Sequence, residues 1–257
     1  MRCPAATIPD IRTRCRRRRR AARTAAACAA LLLAGTGATA GPWAREAGEG
    51  FLSFGISGEE TRTALMLGVL EPERTLSAYG ELGLGYRLTA GVDITGGEVS
   101  RMVVVFLRRT LTAPDSAWQV ALDTGLGTRA VEGQERRNLA RIGASLGLGF
   151  GPWEARPGGT FGHRGGWIAV DAMMLADTSG QDPIWQSEVT LGLNLTERAR
   201  GILAMKAEEW PGAEMVVTAR PSVVFALREG TSVQAGMHAG VSGSDTVGLS
   251  LSLWQEF

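Results

Sequence analysis

Charged side chains and one histidine recur at alternate positions along several segments of the chain. In IWQSEVTLGLNL, for example, Glu188 lies in the polar phase, whereas Val189 and Leu191 lie in the apolar phase. A period of two places successive side chains on opposite faces of a β-strand. If such strands enclose an interior, these residues would either line a small polar passage or neutralise one another in a network that fills it. Nine polar-phase residues are the candidates to line the interior: Glu81, Asp93, Asp123, Arg141, Asp171, Glu188, Lys206, Arg220 and His238.

A histidine and two serines near the C-terminus raise a catalytic alternative. The histidines of the chain are His163 and His238. A tight hairpin centred near Ser244 would place His238 opposite Ser250 or Ser252, about 4.5–5.5 Å away at Cβ. A base within reach of a serine hydroxyl is the arrangement that activates a nucleophile, here for lipid hydrolysis. The sequence shows no acid that would orient the histidine, and a lone histidine in a polar interior is the other interpretation.

Alternation extends along most of residues 50–257, and helical periodicity is scarce, which predicts an all-β fold. In TLSAYGELGLGYRL, Leu76, Leu82 and Leu84 share one face and Glu81 lies on the other. We predict twelve strands, at residues 50–58, 74–88, 91–97, 101–112, 117–128, 138–150, 166–176, 184–196, 200–209, 213–227, 231–242 and 247–257. The segment RMVVVFLRR is apolar on both faces, so its orientation is left open.

The polar faces distinguish between two β architectures. A soluble sandwich or lipocalin-like barrel points apolar side chains inward, whereas a membrane barrel has an apolar outer band and a polar interior. The polar faces here are rich in Gly, Ser and Thr, as expected for a confined interior, and residues 41–257 contain one lysine, Lys206. An even number of strands also puts both termini on the periplasmic side. We therefore predict a transmembrane antiparallel up-and-down β-barrel of about twelve strands.

The first 40 residues have the pattern of a secretory signal peptide. They contain nine arginines, the apolar stretch AAACAALLLAG and the small-x-small sequence Ala38-Thr39-Ala40. This order of basic, apolar and small residues predicts export and cleavage after Ala40. The predicted organisation is a cleaved signal peptide at residues 1–40, a short periplasmic segment at 41–49 and the outer-membrane barrel at 50–257.

Removal of this leader changes the charge and cysteine content of the chain. Cys3, Cys15 and Cys28 all lie within it, so the exported chain would have neither disulfides nor cysteine ligands for a metal. Residues 41–257 contain 18 basic and 25 acidic residues, a net charge of −7. An acidic chain of this kind argues against a nucleic-acid partner. We find no nucleotide-binding loop and no metal-binding motif, and we expect no cofactor.

The chain ends on LSLWQEF, in which Leu249, Leu251, Leu253 and Phe257 share one phase. This ending resembles the C-terminal signature of bacterial outer-membrane proteins, an amphipathic last strand that ends in phenylalanine. The resemblance implies an outer-membrane location, contact with outer-membrane lipid and lipopolysaccharide, and recognition by the barrel assembly machinery. The start of the exported chain, GPWAREAGEGFLS, more loosely resembles uncharacterised Gram-negative barrels, including those called phenol meta-pathway barrels.

These observations predict an outer-membrane barrel that forms a narrow polar pore or a substrate-specific channel for small solutes. An excess of acidic residues in the interior would give a weak preference for cations. Two alternatives remain from the sequence: a closed structural barrel without transport, and a lipid hydrolase that uses serine and histidine. The solute is not encoded in any motif that we can identify.

Overall fold

A computed structural model describes residues 41–154, 162–178, 180 and 183–257. Strands predominate in these residues, and one short helix, α1 (Arg62–Met66), follows the first strand. No helix in the described ranges has the length and apolar character needed to cross a membrane. The strands are β1 (Gly50–Thr61), β2 (Glu73–Gly85), β3 (Leu88–Gly97), β4 (Ser100–Thr110), β5 (Trp118–Val131), β6 (Arg137–Phe150), β7 (Trp153–Glu154), β8 (Gly162–His163), β9 (Gly166–Asp177), β10 (Ile184–Asn194), β11 (Ala199–Glu209), β12 (Val216–Arg228), β13 (Thr231–Ser242) and β14 (Thr246–Glu256).

Twelve of these strands close into an antiparallel barrel within the described part of the chain. Strands adjacent in sequence pair with each other, except that β6 pairs with β9 and β1 pairs with β14. The closing pair runs from Phe51 opposite Glu256 to Thr61 opposite Thr246. Because the wall has no free edge, its backbone N–H and C=O groups are satisfied without water. The predicted up-and-down barrel of twelve strands is confirmed. The first and last residues of each barrel strand lie within three residues of the predicted ones.

The short strands β7 and β8 form a separate two-stranded hairpin between β6 and β9. We call the end of the barrel where β1 begins and β14 ends the terminal end, and the opposite end the far end. The β7–β8 hairpin is at the terminal end, whereas α1 is at the far end. At the far end the Thr61 hydroxyl accepts a hydrogen bond from the Ala64 N–H (3.1 Å) and caps α1.

The two faces of the wall differ as the alternation predicts. On β5 the inward-facing Ala121 and Asp123 are buried, whereas the outward-facing Leu122 and Leu126 are 50% and 67% exposed. A continuous apolar band of this kind is unfavourable in water and matches the hydrocarbon layer of a membrane. The band includes Leu82, Leu84, Val120, Leu122, Leu146, Val189, Leu191, Val217, Val223, Leu249 and Leu251.

Replacing Val189 with arginine should destabilise the folded barrel by about 2–4 kcal/mol, because Val189 faces outward near the middle of β10. The free energy of unfolding would be measured by urea titration of tryptophan fluorescence in lipid vesicles. Val189→Leu is the matched control and should be close to neutral. Equal stability of the arginine variant and the wild type would show that this face does not contact hydrocarbon.

Candidate functional site: the barrel interior

All nine candidate residues lie on the inward-facing phase of their strands. Their outward-facing neighbours in sequence, such as Leu82, Leu122 and Ile142, are exposed on the outer surface. Glu81, Asp123 and Arg141 form a buried group of ion pairs on β2–β6, whereas Glu188, Lys206 and Arg220 form a more accessible group of ion pairs on β10–β12. His238 on β13 is buried beside Glu59, and Asp93 and Asp171 have no ion-pair partner among the described residues. The strand positions are Glu81 on β2, Asp93 on β3, Asp123 on β5, Arg141 on β6, Asp171 on β9, Glu188 on β10, Lys206 on β11, Arg220 on β12 and His238 on β13.

Glu81 is the centre of the buried group. Arg45 Nε lies 2.7 Å from one of its carboxylate oxygens, and Arg108 Nη1 lies 2.7 Å from the other. The Tyr79 hydroxyl also donates to Glu81. The three charged side chains are only 2–13% exposed. Because two guanidinium groups and a hydroxyl satisfy this carboxylate, its role is to hold the structure together and not to bind a solute.

A second buried pair packs against an aromatic ring. Arg141 Nε lies 2.6 Å from Asp123 Oδ1, and the Arg141 guanidinium lies 4.4 Å from the centre of the Phe106 ring. The Arg108 guanidinium lies 5.2 Å from the same ring. Cation–π contacts of this length are favourable when water is excluded. Sequence reasoning missed Phe106 and Arg108 because RMVVVFLRR is apolar in both phases, so alternation did not reveal which side faces inward.

Residues 41–49, the short segment predicted before the barrel, run into the barrel from the terminal end. Arg108 Nη1 donates to the Gly41 carbonyl (2.8 Å), and the Thr110 hydroxyl donates to the Pro42 carbonyl (2.7 Å). Gly41 and Pro42 are buried. We call residues 41–49 the inner segment. Its placement was missed because the groups that hold it belong to β4, far away in sequence, and the segment itself has no alternating pattern.

Two wall glycines make room for the inner segment. A Cβ on Gly83 would collide with the Glu46 carbonyl oxygen, and a Cβ on Gly147 would collide with Trp43 and Pro42. Both glycines face inward, where any other residue would place a side chain in the path of the segment. The wall is therefore shaped to this segment, which occupies a fixed position in the terminal half of the interior.

The accessible group lies on the other side of the interior. Arg220 Nη1 is 3.4 Å from Glu188 Oε2, with side-chain exposures of 48% and 33%. Lys206 Nζ is 2.9 Å from Glu208 Oε1, with exposures of 26% and 25%. A side chain that points into a closed barrel can be this exposed only if it borders a space that water can enter. Such half-exposed pairs are weak and can exchange partners with a solute.

Two further carboxylates on the inner wall, Asp93 and Asp171, form no ion pair with any residue that the structure describes. Asp171 accepts a hydrogen bond from the Ser145 hydroxyl and lies opposite Glu188 in the strand register. The interior therefore contains two carboxylates that have no direct ion-pair partner among the described residues. Nowhere among the described residues do three or more His, Cys, Asp or Glu side chains come together as metal ligands.

The strand register does not support the pairing of His238 with serine on which the catalytic alternative depends. The β13–β14 register places His238 opposite Gly248, whereas Ser250 lies opposite Gly236 and Ser252 opposite Gln234. The hairpin is centred one residue before Ser244, which moves the partner of His238 by two positions. His238 Nε2 lies instead 3.0 Å from Glu59 Oε1. Glu59 is on β1, and both Glu59 and His238 lie opposite Gly248 on the intervening strand β14. The contact therefore depends on closure of the barrel, and no local pattern in the sequence predicts it.

The closed wall, its apolar outer band and its charged interior define a β-barrel of the bacterial outer-membrane type. The fold is similar to that of the KdgM porin, with a TM-score of 0.56 and 6% identity, covering 80% of this chain and 99% of that one. It is also similar to a COG4313 outer membrane channel from Pseudomonas putida F1 (TM-score 0.53, 11% identity, 84% and 98% covered) and to the NanC porin (0.50, 9%, 80% and 98%). No family model and no curated protein matches the sequence. At these identities the likeness shows the fold alone.

Proposed function

We propose that the protein is a narrow polar channel for small solutes in the outer membrane. The observation that carries this proposal is the exposure of the inward-facing pair Glu188–Arg220, which borders a water-accessible space inside the wall. A barrel that served only as a scaffold would gain little from charged side chains facing such a space, because an ion pair that is partly exposed to water adds little stability. Similarity in fold to porins and channels supports the same conclusion.

The charge of the interior favours cations over anions. Asp93 and Asp171 add carboxylates that have no ion-pair partner among the described residues, while Glu188 and Glu208 pair with Arg220 and Lys206. A confined passage lined by an excess of carboxylates lowers the energy of a cation and raises that of an anion. The expected preference is weak because ion pairs of both signs line the same space.

A closed structural barrel is the second candidate, and the inner segment is the observation that favours it. This segment occupies the terminal half of the interior and is held there by Arg108 and Thr110. In the channel proposal it narrows the passage; in a structural barrel it would block it. No observation favours a lipid hydrolase, because Glu59, not a serine hydroxyl, lies beside His238.

Location and partners belong to the same proposal. The chain is exported by a signal peptide that is cut after Ala40, and its barrel is inserted by the outer-membrane assembly machinery through the ending Leu249, Leu251, Leu253 and Phe257. Outer-membrane lipid and lipopolysaccharide contact the apolar band. The outward exposure of these leucines and the fold of the similar channels support this location.

Single-channel recordings of the refolded chain in a planar bilayer test the proposal. We expect small conductance steps, and larger steps from a chain that begins at residue 47, because this shortening removes most of the inner segment but leaves Arg108 bound to Glu81. In a KCl gradient the reversal potential should show a weak cation preference, which Asp93→Asn should reduce. Asp245→Asn, in the turn between β13 and β14 at the far end, is the control and should leave the preference unchanged. Absence of conductance in both the full and the shortened chain would establish a closed barrel instead.

A further inference from the structure

Asp171 is an inward-facing carboxylate in an unfavourable setting. In the strand register it lies between Ser145 on β6 and Glu188 on β10, so one neighbour is a hydroxyl and the other carries the same charge. It is mostly shielded from water, and within the described ranges no cation forms an ion pair with it. A shielded carboxylate beside a like charge is costly unless a positive group lies near it.

The cations of the neighbouring wall are already engaged. Arg108 binds Glu81 and the Gly41 carbonyl, and Arg141 binds Asp123. Asp123 therefore has an ion-pair partner, whereas Asp171 has none among the described residues. Arg108 acts on Asp171 only at longer range, so a direct ion-pair partner would have to be another group.

The start of the inner segment lies beside Ala169, a neighbour of Asp171 on the inward face of β9. A Cβ built on Gly41 would be 3.9 Å from the Ala169 Cβ, and Ala169 precedes Asp171 by two residues on the same inward face. Residues two apart on a strand are separated by about 6.5–7 Å. Gly41 is therefore about one strand repeat from Asp171 along β9, and the bond from Arg108 to the Gly41 carbonyl holds it there.

We propose that cleavage before Gly41 creates an ammonium group that forms an ion pair with Asp171 and fixes the inner segment inside the barrel. This inference rests on the proposed cleavage after Ala40, and it does not depend on conduction. A signal-peptide protease hydrolyses the Ala40–Gly41 bond with one water molecule, which leaves a carboxylate on Ala40 and an amino group on Gly41. That amino group is protonated at neutral pH, since an α-amino group has a pKa of about 7.7–8.0. In this proposal the new N-terminus at Gly41 is one of the groups that hold the inner segment inside the barrel.

Amine labelling tests this pairing, because the cleaved chain has only two amines, the α-amino group of Gly41 and Lys206. Protein purified from outer membranes is treated with an acetylating succinimide ester at neutral pH, and the labelled peptides are quantified by mass spectrometry. We expect the first peptide to begin at Gly41. Its amine should react about tenfold faster in Asp171→Asn than in the wild type, because losing a partner that raises the pKa of the amine by one unit increases the neutral fraction tenfold.

Asp93→Asn is the matched control, since it removes an equally unpaired inner carboxylate on β3 and should leave the Gly41 rate unchanged. If Asp171→Asn fails to fold, the test uses the wild type alone, with the labelling rate of Gly41 measured as a function of pH. The midpoint of this pH dependence should lie above about pH 8 in the folded barrel and near pH 8 in urea. A first peptide that begins elsewhere overturns both the cleavage site and the pairing. A chain that begins at Gly41 but reacts equally fast in the wild type and Asp171→Asn overturns the pairing alone. Neither result alters the conductance test.

Discussion

Replacing Arg108 with alanine should lower the free energy of unfolding by about 3 kcal/mol. The substitution removes one of the two cations from the buried Glu81 carboxylate and leaves the Gly41 carbonyl without its donor. Breaking a buried ion pair costs about 3–5 kcal/mol, and the lower end applies here because Arg45 still contacts Glu81. Urea titration of the folded barrel in detergent micelles, followed by tryptophan fluorescence, measures the change.

The matched control is Arg220→Ala, on the accessible side of the interior. Arg220 pairs with Glu188 at 3.4 Å and is 48% exposed, so its loss should cost about 0–1 kcal/mol. Equal effects of the two substitutions would contradict the division of the interior into a buried, structural group and an accessible group. The Arg108 variant should also conduct more than the wild type in the channel proposal, because its inner segment is held less firmly.

Removing Phe257 should impair assembly in cells more than it impairs the barrel once folded. Gly50 N–H donates to the Phe257 carbonyl (2.7 Å), and Phe257 N–H donates to the Gly50 carbonyl (3.1 Å), so this residue makes the last contacts of the closing pair. Its side chain is 64% exposed, which limits the stability it can add to less than the roughly 1.5–3 kcal/mol of full burial. Failure to close, by contrast, leaves a whole strand edge unsatisfied in lipid.

The comparison uses heat-modifiable migration of the truncated chain, both in outer-membrane fractions and after refolding in detergent. We expect most of the chain to accumulate unfolded in the periplasm, while the refolded sample still shows the folded band. Phe225→Ala is the control, because Phe225 is an outward-facing phenylalanine near the terminal end of β12 and is not part of the C-terminal ending. Normal outer-membrane levels of the chain that lacks Phe257 would contradict an assembly role for this ending.

The strands of the barrel wall could be predicted because the alternation of apolar and polar residues is visible within the sequence of each strand. A strand in lipid must alternate, so segments such as TLSAYGELGLGYRL reveal both the strand and the face that each side chain occupies. The twelve strands follow from that signal, and so does the inward phase of Glu81 and Arg220. Where alternation is missing, as in RMVVVFLRR, the inward residues Phe106 and Arg108 could not be identified.

The contacts across the interior were not predictable, because they join residues that only barrel closure brings together. Glu59 meets His238 through the pairing of the first and last strands, and Arg45 meets Glu81 through a segment with no alternating pattern. A hairpin centre shifted by a single residue was enough to put His238 opposite glycine and not serine. The contacts across the interior could therefore not be predicted without the strand register and the pairing of strands that are distant in sequence.

The enclosed position of Gly41 has a practical consequence for protein engineering. If the chain is cut before Gly41, as proposed, an affinity tag or fluorescent protein fused in front of Gly41 would have to fit within the wall and would displace the Arg108 and Thr110 contacts. A fusion after Phe257 would alter the closing pair. The loop between β5 and β6 avoids both problems. It is at the far end, its residues 132–136 are exposed, and a Cβ on Gly133 would meet no atom within 4 Å. Epitope tags are therefore best inserted in that loop.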